Sequence, residues 1–275
     1  MKLPSYLAIA AALSFAVLPL GAKTERTVEK TFTVTGAGTL RLNTCGGTIR
    51  VAAGPDGVVT IVAKQTARAD SEAQAEKLLA NVELAFDQSG NDVQATAKCG
   101  PADKTGSDTS SVSVEFIASV PAAYAANLHT SGGSIIVGDL GGNVEARTSG
   151  GSIRLGNIGA GVDVRTSGGS IEIESVRNRV LAHTSGGNVR VGFVGKLAGD
   201  CELSTSGGGI ILTIDASAAF RLDAATGGGT VRGNGLSIEA ETGRRDRDKL
   251  IGAVNGGGPL LKLRSSGGNI RVDAR

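Results

Sequence analysis

The four-residue signature Thr-Ser-Gly-Gly recurs through the middle of this 275-residue chain and constrains its fold more than any other feature. Corners of this type begin at Thr130, Thr148, Thr166, Thr184 and Thr205, and a Thr-Gly-Gly-Gly form at Thr226, at spacings of 18, 18, 18, 21 and 21 residues. Variants begin at Thr44 (Thr-Cys-Gly-Gly) and Ser265 (Ser-Ser-Gly-Gly). A fixed signature at a period near 20 belongs to architectures that stack one structural unit per repeat. The flanks identify the unit. Two and four residues before each Thr stand apolar pairs such as Val144/Ala146 and Val162/Val164; five and seven after it stand Ile153/Leu155 and Ile171/Ile173. Both sets alternate with polar residues, the period-two pattern of half-buried strands. Each unit therefore reads strand, Gly-Gly corner, strand, second corner.

The expected fold is all-β: a right-handed parallel β-helix, or solenoid, with coils of 18 to 21 residues. Glycine makes up 42 of the 275 residues, about twice its ordinary share of ~7%. The paired glycines are expected to supply a positive φ and to leave room for the coil above. The Thr and Ser columns are expected to form hydroxyl ladders along the corner. One insert, residues 70–111, interrupts the run. Within it Asp70–Val82 reads as a short helix capped by Ser71, and Val82–Phe86 with Val93–Ala97 as a hairpin. Gly100–Ser111 is a polar loop, and Val112–Val120 returns to strand. A second loop, Gly233–Asp248, precedes the closing coil. Caps are expected at both ends, where open strand edges would otherwise pair with other chains.

Residues 1–22 have the layout of a secretory signal peptide: Lys2, an apolar core from Leu7 to Leu20, and small residues before a cleavage expected after Ala22. Residues 23–275 are then a single solenoid domain. The apolar run is shorter than the roughly 20 residues of a spanning helix, so no membrane span is expected in the mature chain. Export to the periplasm, cell surface or extracellular space follows.

Charge and residue types exclude several chemistries. With 28 basic and 26 acidic residues, bulk attraction to nucleic acid or anionic lipid is not implied, and no nucleic acid partner is expected. Nine-residue half-coils such as Gly132–Leu140 match a calcium-binding nonapeptide in length only, because its ligand positions hold Ile135 and Val137. His129 and His183 stand three coils apart, about 14 Å by the strand spacing, and cannot share a metal ion. No metal or cofactor is expected. Cys201 falls in the apolar column of Val144, Val162 and Val180. For an exported chain a Cys45–Cys99 disulfide is expected; three unpaired thiols are the alternative. Outward acids Glu145, Asp163, Glu202 and Asp223 share a column beside Arg147, Arg165 and Arg264, an arrangement of mutual neutralisation rather than acid–base work. The chain is read as not an enzyme.

One pattern remains. Six residues past each corner Thr or Ser stand Arg50, Ile136, Arg154, Glu172, Arg190, Ile211, Arg232 and Arg271. The five arginines form a candidate binding stripe for a repeating anionic polymer. The competing reading is solvation of an outward face, with Arg154, Glu172 and Arg190 as cross-strand pairs.

The insert "AEKLLANVELAFDQSGNDVQATAK", the entry "SVEFIASVPAAYAANLHTSGGSI" and the "TSGGSI" repeats together resemble the bacterial "putative adhesin" β-strand-repeat family, a domain of unknown function with an adhesin-head-like β-helix. The resemblance covers about Thr31 to Arg275. It implies an exported, right-handed β-helix associated with the cell envelope, and it brings no catalytic residue to carry over. The function expected is a non-catalytic, adhesin-like or envelope-associated interaction module, its partner an anionic envelope polymer or another envelope protein. The alternatives are a structural or regulatory envelope protein that binds another protein and, behind it, a glycan-acting β-helix enzyme.

Overall fold

The computed structural model describes residues 22–100, 111–240 and 247–275. The expected leader (but for Ala22), residues 101–110 of the polar loop and residues 241–246 of the second loop lie outside the described residues. Strand β1 (Ala22–Thr33) is followed by β2 (Thr39–Thr44), β3 (Ile49–Gly54) and β4 (Val58–Ala69). Helix α1 (Glu72–Ala80), the hairpin β5 (Val82–Ser89) and β6 (Asp92–Cys99), and β7 (Ser111–Pro121) come next. Paired strands then alternate along the chain: β8 (Ala125–Thr130) with β9 (Ile135–Val137), β10 (Val144–Thr148) with β11 (Ile153–Ile158), and β12 (Val162–Thr166) with β13 (Ile171–Val176). After them come β14 (Val180–Thr184) with β15 (Val189–Phe193), β16 (Cys201–Thr205) with β17 (Ile210–Ile214), and β18 (Phe220–Thr226) with β19 (Val231–Asn234). The last strands are β20 (Ile238–Ala240), β21 (Lys249–Val254), β22 (Leu260–Ser265) and β23 (Ile270–Ala274).

The molecule is nearly all β, in two large sheets. One runs β1-β4-β7-β3-β9-β11-β13-β15-β17-β23-β19, the other β20-β21-β18-β22-β16-β14-β12-β10-β8-β2-β6-β5. Each repeat places its first strand in the 12-stranded sheet and its second in the 11-stranded one. Repeats stack in parallel, in register: Ala126, Val144 and Val162 face one another, as do Ile135, Ile153 and Ile171. These apolar columns point inward and are buried. The period-two pattern thus fills one core between two sheets, in which Tyr124, Phe116, Phe193 and Phe220 are the largest fully buried side chains.

The Gly-Gly corners bear out one half of the expectation, room for the adjacent layer, and overturn the other, a positive φ. Among the second glycines only Gly47 has a positive φ, 108°. The others are glycine because of close approach. A Cβ on Gly133 would collide with the carbonyl of Gly47, on Gly151 with that of Gly133, and on Gly169 with that of Gly151. First glycines are less confined: Gly132 has open space at that position. The Thr column does not form a hydroxyl ladder either. From the second corner onward the buried Thr hydroxyl donates to the second-glycine carbonyl of the adjacent layer, as Thr148 to Gly133 (2.8 Å), Thr166 to Gly151 (2.7 Å) and Thr184 to Gly169 (2.7 Å), whereas Thr44 donates to Val114 (2.8 Å). The same oxygen accepts from its own corner, as from the Gly151 N–H at 3.3 Å. A carbonyl that would otherwise be orphaned inside the corner is satisfied this way. The exposed residue after the glycines forms a second ladder, in which Ser134 Oγ accepts from Ser152 N–H and Ser152 Oγ from Ser170 N–H, both at 3.2 Å.

The insert and the last repeat set the two ends. Ser71 caps α1, accepting from the Gln74 N–H, and Arg26 of β1 pairs with Glu76 of the helix. Hairpin strand β6 lies parallel to β2, so the hairpin extends the 12-stranded sheet; Tyr124 Oη donates to the turn carbonyl of Asn91 at 2.6 Å. The long antiparallel pair β1–β4, which the corner motif does not reveal, extends the 11-stranded sheet through β7. At the other end the closing coil corrects the expected order. It does not lie last in the stack: β22 enters between β16 and β18, and β23 between β17 and β19. The cause is β21, which runs back antiparallel along β18. Asn255, Gly256 and Gly257, at φ of 50°, 83° and 81°, then turn the chain toward the other side of β18.

Candidate functional surfaces

The outward face of the 11-stranded sheet carries the arginine stripe. Strand register brings all five arginines into one row, in the order Arg50, Ile136, Arg154, Glu172, Arg190, Ile211, Arg271, Arg232. The period-two rule turns these side chains outward: the neighbours of Arg50, Arg154, Arg190 and Arg271 on either side are buried in the core, and those of Arg232 are half-buried. Four have acidic partners: Arg50 with Glu115 (3.0 Å), Arg154 and Arg190 both with Glu172 (3.2 and 3.5 Å), and Arg271 with Asp273 (2.7 Å). Their side chains remain half to two-thirds exposed. Ion pairs this exposed contribute little stability. Arg232 has no acidic partner among the described residues. The Asp273 carboxyl is held below the usual carboxylate range, first by the hydrogen bond from Arg271 and then by that from Asn234.

Two shallow grooves flank this row. One of about 700 Å³ is lined by Ser170, Asn188, Arg190, Ile211, Asn269 and Arg271. The other, of about 610 Å³, has Gly138, Gly156 and Gly192 along it and Arg154, Glu174 and Arg190 at its walls. The asparagines were not singled out by sequence, although a signal was present. Gly186–Arg190 reads Gly-Gly-Asn-Val-Arg and Gly267–Arg271 reads Gly-Gly-Asn-Ile-Arg.

The opposite sheet differs. Its outward acids and bases are neighbours on the same strands or across them: Arg147 with Glu145 (2.6 Å), Arg165 with Asp163 (3.4 Å), Lys262 with Glu202 (3.0 Å), Arg264 with Asp223 (2.5 Å). His129 and His183 lie in the row with Arg147 and Arg165 between them. His183 Nδ1 hydrogen-bonds Ser204 Oγ at 2.8 Å. Among the described residues no group of three His, Cys, Asp or Glu side chains converges as metal ligands do.

Cys45 and Cys99 are joined in a disulfide that ties the first corner to the end of the hairpin, with Cα atoms 5.8 Å apart. Cys201 is a buried free thiol. Burial pushes its titration up, outweighing the hydrogen bond from the Val180 N–H. A thiol so placed is a poor nucleophile.

No family model matches this chain. No curated protein matches it either. Solved structures do show similarity. A "putative adhesin" from Bacteroides fragilis NCTC 9343 is 11% identical, covering 90% of this chain and 97% of its own, with a TM-score of 0.41. A "putative cell adhesion protein" from Clostridium sporogenes ATCC 15579 is 14% identical over 91% of this chain and 100% of its own, with a TM-score of 0.31. A "putative lipid binding protein" from Parabacteroides distasonis ATCC 8503 is 10% identical over 90% and 96%, with a TM-score of 0.32.

Proposed function

We propose that the two sheets and their corners close into a right-handed parallel β-helix, and that this β-helix is an exported, non-catalytic, adhesin-like interaction module of the cell envelope. Its binding face is the row Arg50, Arg154, Arg190, Arg271 and Arg232, and its partner is an anionic envelope polymer. One observation carries the reading. In this row five arginines share three acids as ion-pair partners, whereas on the opposite sheet's face Arg41, Arg147, Arg165 and Arg264 each pair with an acid of their own. A flat, exposed row with surplus positive charge is suited to a repeating polyanion. The non-catalytic part rests on Glu145, Asp163, Glu202 and Asp223, each tied to a basic side chain rather than opposed across a cleft as glycosidic cleavage requires.

Co-sedimentation of the mature protein with isolated cell-envelope fractions, at low and high salt, tests this. Binding is expected to fall with salt and to be lost in an Arg154→Gln/Arg190→Gln/Arg232→Gln variant that melts normally. Binding indifferent to both salt and substitution would sink the polyanion reading and turn attention to a protein partner.

A further inference from the structure

The arginine row is periodic in space in a way the sequence spacing hides. From β3 to β23 an arginine stands on every second strand: Arg50, Arg154, Arg190 and Arg271, separated by Ile136, Glu172 and Ile211. At a strand spacing of about 4.8 Å the arginines repeat every ~9.6 Å. Each has a small polar companion two residues earlier on the same face: Thr48, Ser152, Asn188 and Asn269. Asn188 and Asn269 use their side-chain oxygens to accept from the N–H groups of Gly209 and Thr230, both at 2.8 Å. Both residues line the larger groove, and their Nδ2 groups are left to donate elsewhere.

The ion pairs orient the guanidinium groups. Arg50, Arg154 and Arg271 donate through Nε, at 3.0, 3.2 and 2.8 Å. No hydrogen bond from their Nη atoms is found among the described residues. The Nη1/Nη2 edge is one of the two edges that grip a carboxylate with parallel bonds, and here it stays available on an exposed side chain.

We propose that this face binds an extended β-linked polysaccharide with one carboxylate per disaccharide, lying along the stack with successive carboxylates at Arg50, Arg154, Arg190 and Arg271. This rests on the polyanion reading above and names the polymer class. Two pyranose rings of an extended β-linked chain span close to one arginine repeat. The half-buried side chains of Ile136 and Ile211 offer apolar platforms to the neutral sugar between carboxylates, and Glu172 accepts from its hydroxyls. A phosphodiester backbone is too densely charged for this row; duplex DNA carries a charge every ~3.4 Å on each strand. Among the described aromatics Tyr124, Phe116, Phe193 and Phe220 are fully buried and Phe32 and Phe86 pack against the core away from the row, so affinity comes from repetition of weak subsites instead of aromatic stacking.

Calorimetry at low salt tests the match with four probes. These are a hyaluronan decasaccharide (one carboxylate per disaccharide), oligogalacturonate with the same number of carboxylates, polyphosphate, and a neutral cello-oligosaccharide of equal length. Hyaluronan is expected to bind at least about tenfold tighter than the others, and Arg190→Gln or Arg271→Gln to weaken it roughly threefold each. The deciding variant exchanges Arg190→Ile with Ile211→Arg, keeping charge but breaking the period; hyaluronan affinity should drop about tenfold. Should that exchange unfold the protein, Ile136→Arg serves instead: it should strengthen polyphosphate binding and leave hyaluronan binding no tighter. Equal affinity for polyphosphate or oligogalacturonate, or undiminished hyaluronan binding by the exchanged row, overturns the proposal. If envelope binding nonetheless stays salt- and arginine-dependent, the broader polyanion function survives; if that too fails, both fall.

Discussion

The middle of the stack and its C-terminal end are built from one repeat and wired differently. From β8 to β17 every layer pairs with its neighbour in sequence, and Thr148, Thr166 and Thr184 each reach a glycine carbonyl 15 residues back. At the C-terminal end the same bond crosses the chain order. Ser265 donates to Gly208 at 2.8 Å and Thr226 to Gly268 at 2.6 Å, over separations of 57 and 42 residues. The corner motif therefore encodes the contact between layers and not the order of layers. Thr184, Thr205 and Thr226 are equally spaced, so nothing in the motif prevents β18 from lying directly on β16. The antiparallel return of β21 and the turn at Asn255 place the last repeat in that gap.

Removal of residues 259–275 should give the largest effect. It takes out an internal layer, including the fully buried Leu261, Leu263, Ile270 and Val272. A loss of at least about 5 kcal/mol is expected from burial alone, with hydrogen-exchange protection collapsing across β16–β19. Removal of residues 22–33, a mostly exposed edge strand, should cost less than half as much. A truncated chain that melts like the intact one would mean that β18 restacks on β16, and the insertion would then be optional.

The glycine pairs sharpen the comparison next. Gly133→Ala should cost about 3 kcal/mol, because the new methyl meets backbone that cannot move alone, whereas Gly132→Ala should stay within ~0.5 kcal/mol. Gly268→Ala, in the inserted layer, should match Gly133→Ala in urea denaturation if the two regions share one interface. A cheap Gly268→Ala would show the C-terminal contact to be looser. Smaller again is the buried hydroxyl: Thr166→Val and Thr226→Val should each cost about 1–2 kcal/mol by orphaning a carbonyl, and Thr166→Ser should recover most of that.

Acid pH should have the mildest effect and should separate ends from middle. Asp92, Asp215 and Asp273 titrate below the usual carboxylate range, held there by Arg41, Ser217 and Arg271 respectively. All three serve the ends. Asp139, lowered by bonds from Asn157, serves the middle. A lowered folded pKa contributes stability that is complete above the unfolded value and lost as pH falls through the folded one. Fraying monitored by hydrogen exchange should thus begin at the ends as pH drops below the ordinary carboxylate range. Simultaneous loss everywhere would contradict this.

Much of this was legible beforehand from particular residues. The pairs Val144/Ala146 and Ile153/Leu155 located strands because alternation has a single structural meaning. The column of Arg50, Arg154, Arg190, Arg232 and Arg271 followed from counting past each corner. Strands β1 and β4 were missed because they carry no corner; the mostly polar β1, as in Lys23–Lys30, gives no clean alternation, and in β4 the buried Gln65 interrupts the apolar row. The two roles expected of the second glycine could not be separated beforehand, because a positive φ and a missing Cβ leave the same letter in the sequence; only the second holds beyond Gly47.

By itself the sequence determined the repeat, the inward and outward faces and the chemistry of each layer contact, since these depend on residues a few positions apart. Only the tertiary structure decided which layers touch, how the ends are covered and the spatial period of the arginines. Equivalent corners have equivalent stacking energies, and the choice among them falls to non-local pairings such as β18 with β21 and to the turn that carries the chain back.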